Sequence, residues 1–427
     1  MNAGDRKSLS TIRTEAGNIL QNKIIPFWLE KSVDTQYGGY LTGFDAGGSP
    51  TEDTNKYIVT QARMVWGFSY LKSRCRPEYR AKMETAAARG AVFLMDCFWD
   101  GETGGFVWKT DRAGKVLDRG KLVYGQSFGL YALSEYYLMS RDTKALEYAE
   151  KTFDLLQKYA ADTLNGGYYE NMEADWSPSA GGKYAGDRKS LDIHMHLMEA
   201  FTTLYAAGGR EIQRRKLQEC IDLLMKYMIN RDLGYGYNQF DREFRRIPAI
   251  NIHRTWNAER ETGELIEEPT DTTSYGHNVE LSWLMKLALD TLKKEDAEYT
   301  RIMRKLLDHS LEYGYDYEYG GVYRDGVADQ KVLVTDKEWW QNFEALVGYS
   351  NGYLCFGDVR YLTALEGTWA FVRDKFINAE VGESRQLLTR TGEALAANIG
   401  NPWKGIYHTG RALAETVERI DRILAKG

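Results

Sequence analysis

Six histidines occur in the 427 residues, and two of them crowd together. His194 and His196 sit one residue apart in "LDIHMHLMEAFTTLY", a segment whose apolar spacing reads as a buried helix. His277 lies near the start of "SYGHNVELSWLM", three residues before Glu280, and His408 near the start of "KGIYHTGRALAE". Imidazole ionises near pH 6.5, so a positioned histidine can take and return a proton close to neutrality. Other polar and aromatic groups share this setting in the first turns of otherwise apolar segments. They are Arg63 and Trp66, Tyr124 and Gln126, Asp192, Asn278, then Trp339, Trp340, Asn342 and Glu344, and finally Tyr407 and Arg411. Ionisable groups in buried helices are costly unless paired, so a ring of them points to a site. For any one residue, scaffolding is the simpler account: a lone buried histidine is usually hydrogen-bonded structure, and Glu280 or Glu344 would serve as a buried partner for arginine.

Spacing sorts these groups further. Residues two apart on a helix point about 200° apart, so His194 and His196 cannot both face one cavity or chelate one metal. One should face the site while the other packs between helices. His277 and Glu280, at i and i+3, share a face, and the carboxylate is expected to orient the imidazole. A metal held by a Glu–His cluster competes with this reading, but neither HExxH nor a second Glu-x-x-His is present, and no metal is expected. His309 falls on a charge-rich helix and is expected to be solvated; His253 falls in a long loop.

Those segments belong to a larger pattern. Glycine pairs with an aromatic recur as "YGGY" at 37–40, "TGGF" at 103–106, "NGGYY" at 165–169 and "YGGVY" at 319–323, with "LGYGY" at 233–237. Each reads as a tight hairpin turn between two helical patterns. The apolar period predicts twelve helices, near 8–30, 55–73, 78–100, 121–140, 143–163, 188–208, 211–231, 274–292, 296–316, 337–356, 358–377 and 405–425. They form six pairs, an amphipathic helix followed by one that is apolar nearly all round. Six buried helices ringed by six amphipathic ones make an all-α (α/α)6 barrel in one domain, 1–427, with short β-hairpins and a long loop at its mouth. All six second helices then run the same way, and their N-terminal ends meet at one mouth. Two helical domains are the alternative, but no linker rich in proline or serine divides the chain.

Bulk properties narrow the partners. A net charge of −6 argues against nucleic acid, and 29 tyrosines with 11 tryptophans suit a surface that stacks on sugars, or a large core with tyrosine at its rim. No segment approaches a membrane span and the N-terminus lacks an apolar signal region. Four scattered cysteines fit a reducing compartment, so a cytoplasmic location is expected.

At this point the chain resembles a known family. "YGQSFGLYALSEYY", "HMHLMEAFTTLY", "SYGHNVELSWL", "WWQNFEALVG" and "YHTGRALAE" together resemble the N-acylglucosamine 2-epimerase superfamily, in its group of cellobiose and mannose 2-epimerases, over nearly the full length. The resemblance implies an (α/α)6 barrel that epimerises sugars at C2 without a cofactor. It implies His277 and His408 as acid/base catalysts on opposite faces of C2, and His196 in ring opening and proton relay. Arg63 is implied to stabilise an enediolate, Glu280 to support the first catalytic histidine, and Trp339 with Trp340 to flank the sugar. Asp192 replaces an asparagine expected to touch substrate, since cellobiose epimerases read "NTHLH" where this chain has "DIHMH". The long stretch from Phe240 to Ser274 carries Trp256 and Glu259, a spacing that looks like the mannose branch. With Tyr124, Glu344 and Arg411 these complete the expected substrate-binding set. Interconversion of D-mannose and D-glucose through a ring-opened cis-enediolate is therefore expected. The alternatives are a cellobiose 2-epimerase working on the reducing-end glucose, a mannose–fructose isomerase, and, in another class, a glycoside hydrolase using Glu280 and Glu344.

Overall fold

The structure, a computed structural model, describes residues 2–179, 188–248, 270–328 and 331–426. Trp256, Glu259 and His253 lie outside the described residues. Thirteen α-helices are found among the described residues: α1 (Ala3–Ile19), α2 (Ile25–Lys31), α3 (Ile58–Leu71), α4 (Pro77–Phe93), α5 (Val123–Ser140), α6 (Thr143–Leu155), α7 (Leu191–Gly208), α8 (Glu211–Leu223), α9 (Tyr275–Thr291), α10 (Ala297–His309), α11 (Trp339–Phe356), α12 (Val359–Phe371) and α13 (Ile406–Lys426). A π turn, Leu20–Ile24, joins α1 to α2 into one rod, so twelve rods remain, as the apolar period predicts.

The six inner helices close on themselves: α3 packs on α5, α5 on α7, α7 on α9, α9 on α11, α11 on α13, and α13 back on α3. Each is clad by one outer helix. Burial follows the sequence pattern. Every residue of α3 is buried, whereas α6, α8 and α10 bury one stripe. Among the described residues no helix is long and apolar enough to cross a membrane, and the four cysteines are free thiols.

One feature had no sequence signature. Each outer helix ends in a five-residue π turn: after α1, and then Leu94–Phe98, Leu156–Ala160, Leu224–Met228, Ser310–Gly314 and Val372–Phe376. A π turn slips the hydrogen-bond ladder by one residue while leaving the apolar spacing almost intact, so period alone misses it.

The glycine-aromatic motifs form hairpins after these turns, with bridges such as Val33 to Tyr40, Trp99 to Phe106, Ala161 to Tyr168 and Tyr315 to Val322. Buried ion pairs fasten four of them: Asp34 with Lys56, Asp100 with Lys121, Asp162 with Lys189, and Asp316 with Lys337. In the sixth repeat Lys404 Nζ donates to the carbonyls of Ser384 and Ile399. The fourth repeat departs, with Asn230 at the acid's position and threonines at 272 and 273 where a lysine would stand.

In five repeats the fourth residue of the inner helix then clamps its hairpin, and in the sixth Thr409 Oγ1 donates instead to the Glu383 carboxylate at 3.1 Å. Gln61 accepts from Tyr40 N–H and donates to its carbonyl, and Gln126 does the same at Phe106. Asn278 accepts from Gly236 N–H, and Asn342 from Val322 N–H. His194 holds this position in α7: its Nε2 accepts from Tyr168 N–H at 3.0 Å while its Nδ1–H donates to the Ser190 carbonyl at 2.8 Å. Close approach demands glycine in the turn, since a Cβ on Gly167, at φ +72°, would meet His194 Nε2 at 2.7 Å. His194 is thus the packing member of the "HMH" pair.

His309 departs from expectation. It is 2% exposed, and its Nε2 donates to the Ala328 carbonyl at 2.8 Å, because the chain beyond Asp325–Val327 covers the end of α10.

Candidate active site

Two residues beyond each clamp, the side chain points the opposite way, toward the barrel axis. The sixth residues of the inner helices are Arg63, Phe128, His196, Glu280, Glu344 and Arg411. They meet there: the Arg63 guanidinium lies 4.4 Å from the Phe128 ring centre, and Phe128 lies 5.0 Å from the His196 ring. Arg411 Nη2 donates to Glu280 Oε1 and to Glu344 Oε1, each at 2.6 Å. Above this layer, first-turn residues add His277, Asp192, Tyr124, Trp340 and His408.

The three imidazoles have different surroundings. His196 Nδ1–H donates to Glu199 Oε2 at 2.8 Å, and its Nε2 lies 3.3 Å from Asp192 Oδ1. Burial alone would lower its pKa, but these two carboxylates outweigh burial and push it up to about 10, so the ring is an imidazolium at neutral pH. His408 Nδ1–H donates to Glu344 Oε1 at 2.8 Å. Burial, with Arg63, Arg411, His196 and His277 nearby, drives it well below the usual histidine value. Burial pushes Glu344 up, against the pull of Arg411, and the neighbouring Glu280 and Glu199 add to the rise. His277 keeps 18% side-chain exposure, and its Nε2 lies 3.4 Å from the same Asp192 oxygen that His196 approaches. Burial alone would raise Asp192, but His277, His196 and Arg63 hold it below its ordinary value.

Trp340 borders two of these rings, with centroids 4.6 Å from His277 and 5.9 Å from His408. Those two distances laid end to end are the most that can separate the two imidazoles, which is close enough to flank one hexose. Arg63 Nη1 donates to the Trp403 carbonyl at 2.7 Å and Nη2 to Tyr124 Oη at 2.9 Å, so its charge is held in place by neutral oxygens.

Three expectations need correction. Glu280 does not orient His277; its Oε1 accepts from Arg411, because the sixth-residue register turns it toward the axis below the mouth. Arg411 is 1% exposed and its Nη atoms serve Glu199, Tyr407, Glu280 and Glu344, so its donors are taken up inside the barrel, beneath the first-turn residues. Trp339 is 2% exposed and packs edge-on behind His408 at 6.1 Å, leaving Trp340 alone of the pair at the cavity.

Sequence reasoning missed Glu199, although His196 and Glu199 have the same i, i+3 spacing that drew attention to His277 and Glu280. It also missed an aromatic shelf at the mouth. Trp108 and Trp403 lie 5.7 Å apart, and Trp403 lies 6.1 Å from Tyr124. Neither tryptophan stands in an inner helix, so no apolar period marks them. Among the described residues two donor sets have metal-like spacing, His196–Glu199–Glu280 and Glu280–Glu344–His408. Arg411 donates to a carboxylate of each set, so its guanidinium supplies the cation those carboxylates need.

The (α/α)6 barrel is also the fold of solved sugar epimerases. The cellobiose 2-epimerase of Spirochaeta thermophila superposes with a TM-score of 0.85 at 28% identity, over 99% of this chain and 100% of that one. A D-mannose isomerase shares the fold, with a TM-score of 0.80 at 19% identity over 98% and 99% of the two chains. In sequence, the cellobiose 2-epimerase of Dictyoglomus turgidum is 28% identical over 421 residues, covering 96% of this chain and 100% of that one. The N-acylglucosamine 2-epimerase family model matches residues 38–412, and the chain belongs to that family. It is a carbohydrate epimerase, an enzyme of the isomerase class.

Proposed function

We propose that the protein interconverts D-mannose and D-glucose by moving a proton at C2 through a ring-opened cis-enediolate. The observation that carries this reading is the pair of imidazoles, His277 and His408, bordering the single ring of Trp340 from different helices. A planar intermediate needs one proton-transfer group on each face, and one imidazole cannot reach both.

The groups divide the work. His196, charged between Asp192 and Glu199, is the acid that protonates the ring oxygen as the C1–O5 bond breaks. Asp192 takes the anomeric hydroxyl proton and passes it to His277, 3.4 Å away. His408, neutral and fixed by Glu344, takes the C2 proton, and the C–H electron pair moves into the enediolate. His277 returns a proton to C2 from the opposite face. Arg63 stabilises the enediolate oxygen more than the neutral sugar, which is what lowers a barrier. Hydrolysis finds less support, because Glu280 and Glu344 are bound to one guanidinium nitrogen and do not flank an open space.

A second reading, epimerisation of the reducing-end glucose of a β-1,4-linked disaccharide, is favoured by the Trp108–Trp403 shelf, which offers stacking for a second sugar unit. Relatives named cellobiose 2-epimerase support it too. Incubation with mannose, and separately with cellobiose, in heavy water followed by NMR separates the readings. Glucose carrying deuterium at C2 is expected from mannose. Glucosyl-mannose as the dominant product supports the disaccharide, fructose supports aldose–ketose isomerisation, and no exchange with any aldose overturns the proposal.

A further inference from the structure

Beneath the mouth, two of the imidazoles are joined by an unbroken chain of polar contacts. His196 Nδ1–H donates to Glu199 Oε2, and Glu199 Oε1 accepts from Arg411 Nη1. Arg411 Nη2 donates to Glu344 Oε1, and that same oxygen accepts from His408 Nδ1–H. The chain crosses three helices, α7, α13 and α11, and Arg411 is the guanidinium at its centre. The guanidinium is almost sealed from water, stacked 4.1 Å from the Tyr407 ring and 4.9 Å from Trp283. Tyr407 Oη also donates to Glu199 Oε1, at 2.6 Å, which anchors that carboxylate from a second side.

We propose that Arg411 is a positioning residue that sets the division of labour between the two imidazoles, holding His408 as the neutral base and leaving His196 as the charged acid, by anchoring the carboxylate behind each ring. This rests on the epimerisation proposed above. The argument is electrostatic. A carboxylate shared with arginine has less charge left to stabilise a proton on the histidine it also serves, and Glu344 Oε1 is shared in this way. His196 escapes the same fate because it has a second carboxylate, Asp192, beyond the reach of Arg411. The charged groups that act on His408 are Arg63 on α3, His196 on α7, His277 on α9 and Arg411 on its own helix, with Glu344 on α11 bonded to the ring and Glu280 on α9 within 4.8 Å. The cations among them disfavour a proton on His408, and Arg411 both belongs to that set and restrains the one carboxylate bonded to the ring.

The test is Arg411→Gln, read by the pH profile of kcat/KM and by NMR titration of ring-labelled histidine, with His408→Asn to assign the signal. Both limbs of the profile should move to higher pH by about 1–3 units, the usual effect of one neighbouring charge. The His408 signal should move with the lower limb. Arg411→Lys keeps the charge but loses the fork, and should return the limbs toward wild type while turnover stays reduced. If Arg411→Gln fails to fold, Glu344→Gln carries the test with the opposite sign, since removing the carboxylate behind His408 should move its titration to lower pH. Limbs and titrations that stay in place while only height or melting temperature falls would overturn the proposal. An inactive wild type would sink the proposed reaction, whereas the NMR titration would still read the influence of Arg411 on His408.

Discussion

The hairpins around the barrel mouth and the side chains on its axis both bury charge, in opposite ways. In the hairpins each buried lysine meets the aspartate of its own repeat: Lys56 serves Asp34, Lys189 serves Asp162, and Lys337 serves Asp316, with Arg112 and Arg390 of the following repeat closing over Asp34 and Asp316 from outside. On the axis no repeat is self-sufficient. Arg411 on α13 serves carboxylates from α7, α9 and α11, and Asp192 on α7 answers to an imidazole from α9. Local pairing gives shape, because a buried ion pair that closes on itself has little left to offer a ligand. Sharing across helices leaves groups with unequal partners, and inequality of this kind drives imidazoles toward opposite protonation states.

If this contrast is right, changes on the axis should cost rate and changes in the hairpins should cost stability. The largest effect is expected for His408→Asn, which should lower C2 deuterium exchange about 10²–10⁴-fold with the melting temperature nearly kept, and exchange should fail in one sugar direction first. An equal, mild loss in both directions would argue against two bases. Next is Lys189→Met, which leaves Asp162 buried without its cation. It should cost about 3–5 kcal/mol in denaturant unfolding, with kcat of the folded fraction little changed. Arg63→Ala should cost about 2.7–4 kcal/mol of transition-state stabilisation, at least a hundredfold in turnover, and near-normal turnover would remove Arg63 from the mechanism.

The smallest effect tests the contrast within one helix. His194→Gln should be tolerated at pH 7, because Gln61 and Gln126 already fill the same clamp in other repeats, whereas His196→Gln should lower turnover, though by less than His408→Asn. His194 also carries a pH signature. Burial, reinforced by Lys189 and only partly offset by the Ser190 carbonyl, lowers its pKa from 6.5 to about 4. Protons therefore bind the unfolded chain first as pH drops. The neutral ring's contribution is complete above pH 6.5 and declines by about 3 kcal/mol toward pH 4. Unfolding curves of His194→Gln should lack that decline; an unchanged acid slope would place the sensitivity elsewhere.

The same contrast decides what could be read from residues alone. Helix positions were legible because burial writes a period into the chain, and the turns were legible because two glycines at positive φ are hard to replace. The split of the "HMH" pair also followed from helical geometry, down to one residue packing and the other facing the cavity. Partners on the axis were not legible. Spacing favoured Glu280 for His277, yet Glu280 meets an arginine 131 positions away. Aligning the six repeats on their clamps would have helped, since the sixth residue of every inner helix faces the axis. His309 misled for the converse reason, because a charge-rich helix still has an inner side and later chain can cover its end.

The hairpins carry one more consequence. Since each fastened turn is tied to the start of its own helix, the sequence between a turn and the next inner helix can be exchanged without disturbing the reacting groups below. The fourth repeat is the one that lacks a lysine peg, and it is also where the sequence between Asp241 and Thr272 runs longest. Relatives could diverge in diet by rewriting that stretch alone, and grafting it from one family member to another should move preference between sugars while the proton chemistry stays as it was.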